Sequence, residues 1–480
     1  MQYAFSKKDL LQWWLPCAAA IAFFTAGIIL EENLLLVFPF AVLAIIFFTS
    51  DIKALFYFLV FCIPLSTEFA VTATLSTDLP DEPLMLMVAV SVFVLLITRQ
   101  QAMPVEIRKS PLFLLLLIYF LWMAVTIFFS YDVLLSVKYM LAKTWYVLAF
   151  VFGILLFVKT KKDYENLSKA FVFSMLIPVT SSLVRHATKG FTFESINETL
   201  DPFFRNHVNY SAILACLLPV IVTWYCLTQK NQRKKIGILL AFFTAALFFA
   251  YSRGAWLCML TGALTWIAVK KRFLFSLILV SILVSLISLY WLIQNDNFMK
   301  FAPDFNKTIQ HFDLSEHMEA TYQLKDMSTM ERFYRWIAGM RMINEEKLTG
   351  FGPNNFNLHY KDYTVAAFKT WVSNNEEKSS VHNYFLLVTI EQGIPGLIIF
   401  SLLLLLMFRT ALQGYHFFSD RVYKLLSILC AVILSMVVTL NLLSDLIETD
   451  KVGSIYFIIM AVLMQLQVKM QLQKAGQLLE

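Results

Sequence analysis

Long apolar runs separated by short polar gaps fill most of this chain, and the runs set its architecture. Crossing a bilayer core takes roughly 20 apolar residues in a helix. Runs of about that character lie at 13–30, 34–49, 54–71, 84–98, 112–130, 144–158, 167–184, 209–227, 236–251, 254–269, 274–293, 394–408, 425–444 and 454–470. The pattern predicts an all-α polytopic membrane protein with about 12–14 transmembrane helices, the shorter runs accounting for the range. One polar stretch breaks the series. Residues 294–393 form a large loop outside the cytoplasm, which the same pattern predicts to be partly helical. The chain therefore divides into N-terminal transmembrane helices with short loops (1–208), central transmembrane helices (209–293), the large loop (294–393) and C-terminal transmembrane helices (394–480).

Composition agrees. Of 480 residues, 59% are hydrophobic and 15% charged, and the mean hydropathy is +0.67, which excludes an ordinary soluble domain. The net charge of +6 matters less than its placement. With the N-terminus in the cytoplasm, the inner loops hold the lysine and arginine clusters, such as Lys159, Lys161 and Lys162, Lys230 to Lys235, and Lys270 to Arg272. The outer segments 31–33 and 72–83 have neither residue. This asymmetry puts both termini inside and residues 294–393 outside, on the periplasmic face of the inner membrane in a two-membrane cell. All six cysteines fall inside apolar runs, so neither a disulfide framework nor a thiolate metal cluster is expected. Trp13 to Leu30 follows a polar lead with no small-residue cleavage site, and is expected to be a first span rather than a cleaved leader. Residues 131–143 are expected outside as a short interfacial helix.

Within the large loop, Met330, Phe333, Trp336, Ile337, Met340 and Ile343 recur at helical spacing and predict an amphipathic helix over 328–347. Ser328 followed by Glu331 predicts a capping box at its start. Gly350-Phe351-Gly352-Pro353-Asn354-Asn355-Phe356 predicts a turn.

The candidate chemistry gathers at the outer ends of the spans. Arg253 sits in the tight hairpin Tyr251 to Trp256, where an arginine beside hydrocarbon is costly and is commonly kept for a partner or ligand. The plainer reading is a snorkelling anchor beside Trp256. His382, next to Asn383 and a turn or two before Glu391, is a candidate general base, since histidine titrates near neutrality. Its plainer reading is a loop histidine in an ordinary hydrogen bond. Arg205 and His207 lie just before the span at 209–227, and Arg332, Arg335 and Arg341 lie on the amphipathic helix. Arginines converging on one face suit a diphosphate, because guanidinium pairs bidentately with phosphate oxygens. His311 and His317 lack ligand spacing and no metal is expected; Glu376-Glu377 reads as a solvated run. No nucleotide-binding loop, dinucleotide fingerprint or nucleic-acid surface is present in the sequence.

Taken together, Ser252-Arg253-Gly254-Ala255-Trp256-Leu257, the Gly350 to Phe356 turn, His382-Asn383-Tyr384 and Glu391-Gln392-Gly393-Ile394-Pro395-Gly396 resemble the O-antigen ligase and polymerase family. The resemblance covers roughly residues 200–400. It implies a metal-independent glycosyltransferase of the GT-C type without a cofactor. Such an enzyme takes a glycan from undecaprenyl diphosphate, embedded among membrane lipids, and passes it to an acceptor hydroxyl, with lipid A-core as the leading acceptor. A repeat-unit polymerase and a protein O-oligosaccharyltransferase share the motifs. By the same resemblance Arg253 and Arg205 hold the diphosphate, Arg332 assists, His382 serves the acceptor hydroxyl, and Asn383, His207 and Glu391 support them. A transporter or flippase is the alternative of a different class; it would carry ionisable residues at mid-membrane and paired broken helices, whereas the charges here cluster at the outer ends.

Overall fold

The computed structural model describes residues 51–72, 75–98, 103–302, 327–370, 372–375 and 378–476, with isolated positions between 23 and 48. The expected spans 13–30 and 34–49, His311, His317 and Glu376-Glu377 lie wholly or mainly outside the described residues.

Every span expected after residue 50 falls on a helix. In chain order these are α1 (Ile52–Cys62), α2 (Asp81–Ile97), α3 (Pro111–Ile127), α4 (Val133–Phe157), α5 (Lys161–Thr188), α6 (His207–Leu227), α7 (Arg233–Phe249), α8 (Arg253–Lys270) and α9 (Leu274–Ile293). The loop helix α10 (Met327–Glu345) follows, then α11 (Tyr384–Phe417), α12 (Arg421–Leu443) and α13 (Asp450–Lys474). Among the described residues, seven helical segments are long and apolar enough to cross a membrane, and shorter apolar helices lie beside them. The chain is an all-α multi-pass membrane protein.

Three local readings change. The span expected at 54–71 stops early, because Pro64 confines residues 63–65 to a tight 3-10 turn. The chain then forms a two-stranded antiparallel ribbon, β1 (Thr67–Thr72) with β2 (Leu75–Leu79), the only sheet among the described residues. Residues 133–143 are not a separate interfacial helix but the first part of α4, joined to the rest through a π-helical turn at Val147–Phe152. Polarity hid that continuity, since Lys143 lies inside α4; it is buried there because Glu448 pairs with it at 2.8 Å. The capping box at Ser328 does not form. Ser328 is already inside α10, and the Glu331 carboxylate turns away to accept from Thr370 and, at 2.8 Å, from Ser373.

The motif Glu391 to Gly396 is a break in the middle of α11. Gly393 adopts φ +69, ψ −178, a backbone region open almost only to glycine, and Pro395 carries no N–H. The carbonyls so released find partners elsewhere. Ile390 O accepts from Phe351 N at 2.9 Å, Glu391 O from Gly352 N at 3.0 Å, and Gln392 O from Trp122 Nε1 at 2.9 Å; Ile394 N donates to Lys347 O at 2.8 Å. Irregular backbone at membrane depth survives only when protein groups satisfy it in this way. The Gly350 to Phe356 turn is thus the partner of the break. Asn355, fully buried, locks the turn to the start of α4: its Oδ1 accepts from Asp132 N at 2.9 Å and its Nδ2 donates to Ser136 Oγ at 2.9 Å.

Candidate active site

Helix α8 runs antiparallel to α12, with Gly262 against Val432 and Met436, and Val269 O bonded to His416 near the far end of α11. The start of α8, the end of α12 and the starts of α6 and α11 therefore meet at one end of the bundle, where α10 lies across them. A cavity of about 600 Å³ opens there, its wall built from Asn206 and Asn209 of the α6 entrance, Arg332 and Arg335 of α10, His382, and Ser444 beyond α12.

His382 holds a left-handed backbone, φ +54, which is strained for a side chain of this size. Two bonds fix the loop around it: its N–H donates to Ser380 Oγ at 3.2 Å, and the Tyr384 N–H donates to Ser444 O at 3.1 Å. The second bond brings Asp445 within reach, and His382 Nδ1 lies 3.7 Å from Asp445 Oδ1. That distance is longer than a hydrogen bond, and the contact is an ion pair only when the imidazole is protonated. Burial acts to raise the Asp445 carboxyl, but contacts from His382 and Ser380 and the His382 charge outweigh it and hold the group below the usual carboxylate range. An imidazole with a carboxylate beside one ring nitrogen is oriented so that the other can take a proton.

Arg332 sits at the α12 terminus, where its Nε donates to Leu443 O at 2.9 Å, satisfying one of the carbonyls that a helix end leaves open. Arg335, three residues on, is buried; its Nη2 donates to Asn375 Oδ1 at 3.2 Å and lies 3.5 Å from Glu331. The cavity therefore carries two guanidinium groups, one histidine and the acid Glu331, which pairs with Arg335, on a wall otherwise made largely of amides and hydroxyls.

The other expected site residues lie elsewhere. Arg253 opens α8 at the same end, with Ser252 Oγ capping the helix by accepting from Ala255 N, but it is not part of this cavity's wall. Arg205 lines a second cavity of about 690 Å³, where its guanidinium is held bidentately by Glu68. His207 lines neither; its backbone N–H and ring Nδ1 both meet Asn197 Oδ1, at 2.9 and 3.0 Å. Asn383 caps α11, accepting from Leu386 N at 3.1 Å. Glu391 is buried at the helix break, its carboxylate accepting from Phe356 N at 3.4 Å. Arg335 stands among the helix arginines that the sequence singles out without a role of its own, whereas no motif in the sequence singles out Asp445 or Asn209 as site residues. The one available signal was the run Ser444-Asp445-Leu446-Ile447-Glu448-Thr449-Asp450, three acids in a short outer connection between spans.

No curated protein matches the chain. Residues 238–401 do match a protein-family model described as O-Antigen ligase, a stretch that runs from within α7 through the loop and the α11 break and contains Arg253, Arg332, Arg335 and His382. Over residues 238–401, about a third of its length, this chain is thus similar to the O-antigen ligase family.

Proposed function

We propose that the protein transfers a glycan from undecaprenyl diphosphate to the hydroxyl of an acceptor, lipid A-core in the leading case, at the periplasmic face of the inner membrane and without a metal ion. The observation that supports this most is the single cavity in which His382, beside Asp445, shares a wall with Arg332 and Arg335. In the reaction a ring nitrogen of His382 accepts the acceptor's hydroxyl proton as that oxygen bonds to the anomeric carbon. The bond from that carbon to the phosphate oxygen breaks, and the electron pair leaves with undecaprenyl diphosphate. Asp445 offsets the charge that develops on the imidazole, and the guanidinium groups offset the charge on the diphosphate. The proton then passes from His382 to water. Arg253, at the start of α8, holds the diphosphate of the incoming lipid. Arg205, held by Glu68 in the second cavity, stands apart from this group.

The test is transfer by the purified protein from an undecaprenyl diphosphate-linked glycan to lipid A-core, to a single repeat unit and to a peptide, each with and without EDTA. Transfer that continues in EDTA is expected; its loss would sink the metal-free chemistry. His382→Ala is expected to abolish transfer while donor binding persists, and Arg253→Ala to weaken donor binding. Near-normal turnover by His382→Ala would remove the base assignment. The acceptor that is used separates ligase, polymerase and protein glycosylation.

A further inference from the structure

The cavity that holds His382 has a neighbour of similar size, and Asn209 belongs to the walls of both. The two are also linked by one connection, since Leu446 lines the first and Glu448 the second, just beyond Asp445. Asn209 stands in the first turn of α6 with its backbone N–H committed to the Asn206 side chain at 3.0 Å. Its own side-chain amide makes no hydrogen bond among the described residues. An amide that can both donate and accept, placed on a seam between two polar cavities, suits a sugar hydroxyl, which does the same.

The neighbouring cavity differs in charge from the first. Glu68 there is matched by Arg205, and Glu448 by Lys143, leaving Asp78, Glu82, Asp201 and Asp450 on the same wall as Lys451. A phosphorylated acceptor entering it would meet a wall rich in acidic side chains, and like charges at close range are costly.

We propose, building on the transferase reading, that the acceptor sugar occupies this second cavity and that Asn209 holds it at the seam, with its reacting hydroxyl directed toward His382. The acceptor that fits is an uncharged sugar rather than a phosphorylated one. Donor diphosphate and acceptor then lie on opposite sides of Asn209, the diphosphate on the guanidinium side. Because the hydrogen bond from Asn209 to Asn206 uses backbone, replacing the side chain leaves the start of α6 capped.

The experiment uses the full-length protein in lipid nanodiscs with an undecaprenyl diphosphate-linked glycan as donor. The acceptors are a neutral oligosaccharide and the same oligosaccharide bearing a phosphate. Asn209→Ala is expected to raise KM for the neutral acceptor about fivefold to tenfold, the range set by one lost hydrogen bond. Its kcat, and its Kd for undecaprenyl diphosphate alone, should stay within about twofold of the parent protein. Asn209→Gln, which keeps the amide but moves it, should give a smaller rise, and it carries the test if Asn209→Ala does not fold. The phosphate on the acceptor should lower kcat/KM in the parent protein. An unchanged acceptor KM in both variants, an equal loss of undecaprenyl diphosphate binding, or a preference for the phosphorylated acceptor overturns the proposal. A parent protein that transfers to no acceptor overturns the transferase reading itself, a result distinct from active protein indifferent to Asn209.

Discussion

At residue scale, the site depends on a histidine held in an unfavourable backbone conformation beside a carboxylate. The strain at His382, φ +54, persists because the flanking chain is tied down by Ser380, and by Ser444 through Tyr384. The Asp445 contact makes a pH prediction. Its carboxyl is held below the range it has in an unfolded chain, where aspartate titrates at about 3.9. The stability it contributes is therefore fully present above that unfolded value and is lost as pH falls through the lower, folded one. Asp445→Asn should melt at a lower temperature than the parent protein from about pH 5 upward, and the gap should close as pH drops below about 4. A gap that widened in acid would show that the carboxylate is not stabilised by His382 and Ser380. The charged pairs of the second cavity follow the same logic of compensation, with the buried Lys143 tolerated because Glu448 reaches it.

At the scale of elements, the glycine and proline motifs that carry the resemblance are devices for breaking and reconnecting one helix. Gly393 has no room for a side chain: a Cβ would lie 2.0 Å from Leu348 O, and no alanine adopts its φ and ψ without strain. Gly393→Ala should destabilise the protein by about 1–3 kcal/mol, read as an earlier thermal transition in detergent. Gly254, in the first turn of α8 with open space where its Cβ would go, supplies the contrast, and Gly254→Ala should leave the transition in place. If both substitutions behave alike, the α11 break is not a constraint on folding. Glu391 belongs to this scale as well. Its position near His382 in sequence reads as catalytic support, but in space its carboxylate and carbonyl hold the Gly350 to Phe356 turn against α11. Amphipathic spacing placed α10 to within two residues of its observed end, whereas its capping chemistry was misread because Glu331 has buried hydroxyl partners distant in sequence.

At the scale of the whole molecule, the cavity is composite. The large loop supplies Arg332, Arg335 and His382, but Asn206 and Asn209 enter from α6, and Ser444 and Asp445 from the connection between the last two helices. The described part of the loop lies over a cavity that it does not form alone. Its side of the membrane rests on the basic-residue asymmetry, which predicts a labelling pattern. Leu348, 71% exposed within the loop, replaced by cysteine should react with a membrane-impermeant maleimide in cells with a permeable outer membrane and intact inner membrane. Cysteine at Lys234, in the basic first turn of α7, should react only after the inner membrane is opened. The reverse pattern would invert the topology.

The sequence by itself determined the membrane class, the order of the spans after residue 50 and the position of the large loop. Each of these rests on local hydrophobicity and charge, which a run of neighbouring residues reports in full. It also marked His382 and Arg332, because the motif and the loop helix that carry them are continuous in sequence. Only the tertiary structure decided that Asp445 stands beside His382, that Glu68 holds Arg205 and that Glu391 serves the helix break. It alone placed Asn209 between two cavities. Those relations join residues up to 137 positions apart, as Arg205 and Glu68 are, and no local pattern encodes a contact made only when separate helices pack end to end.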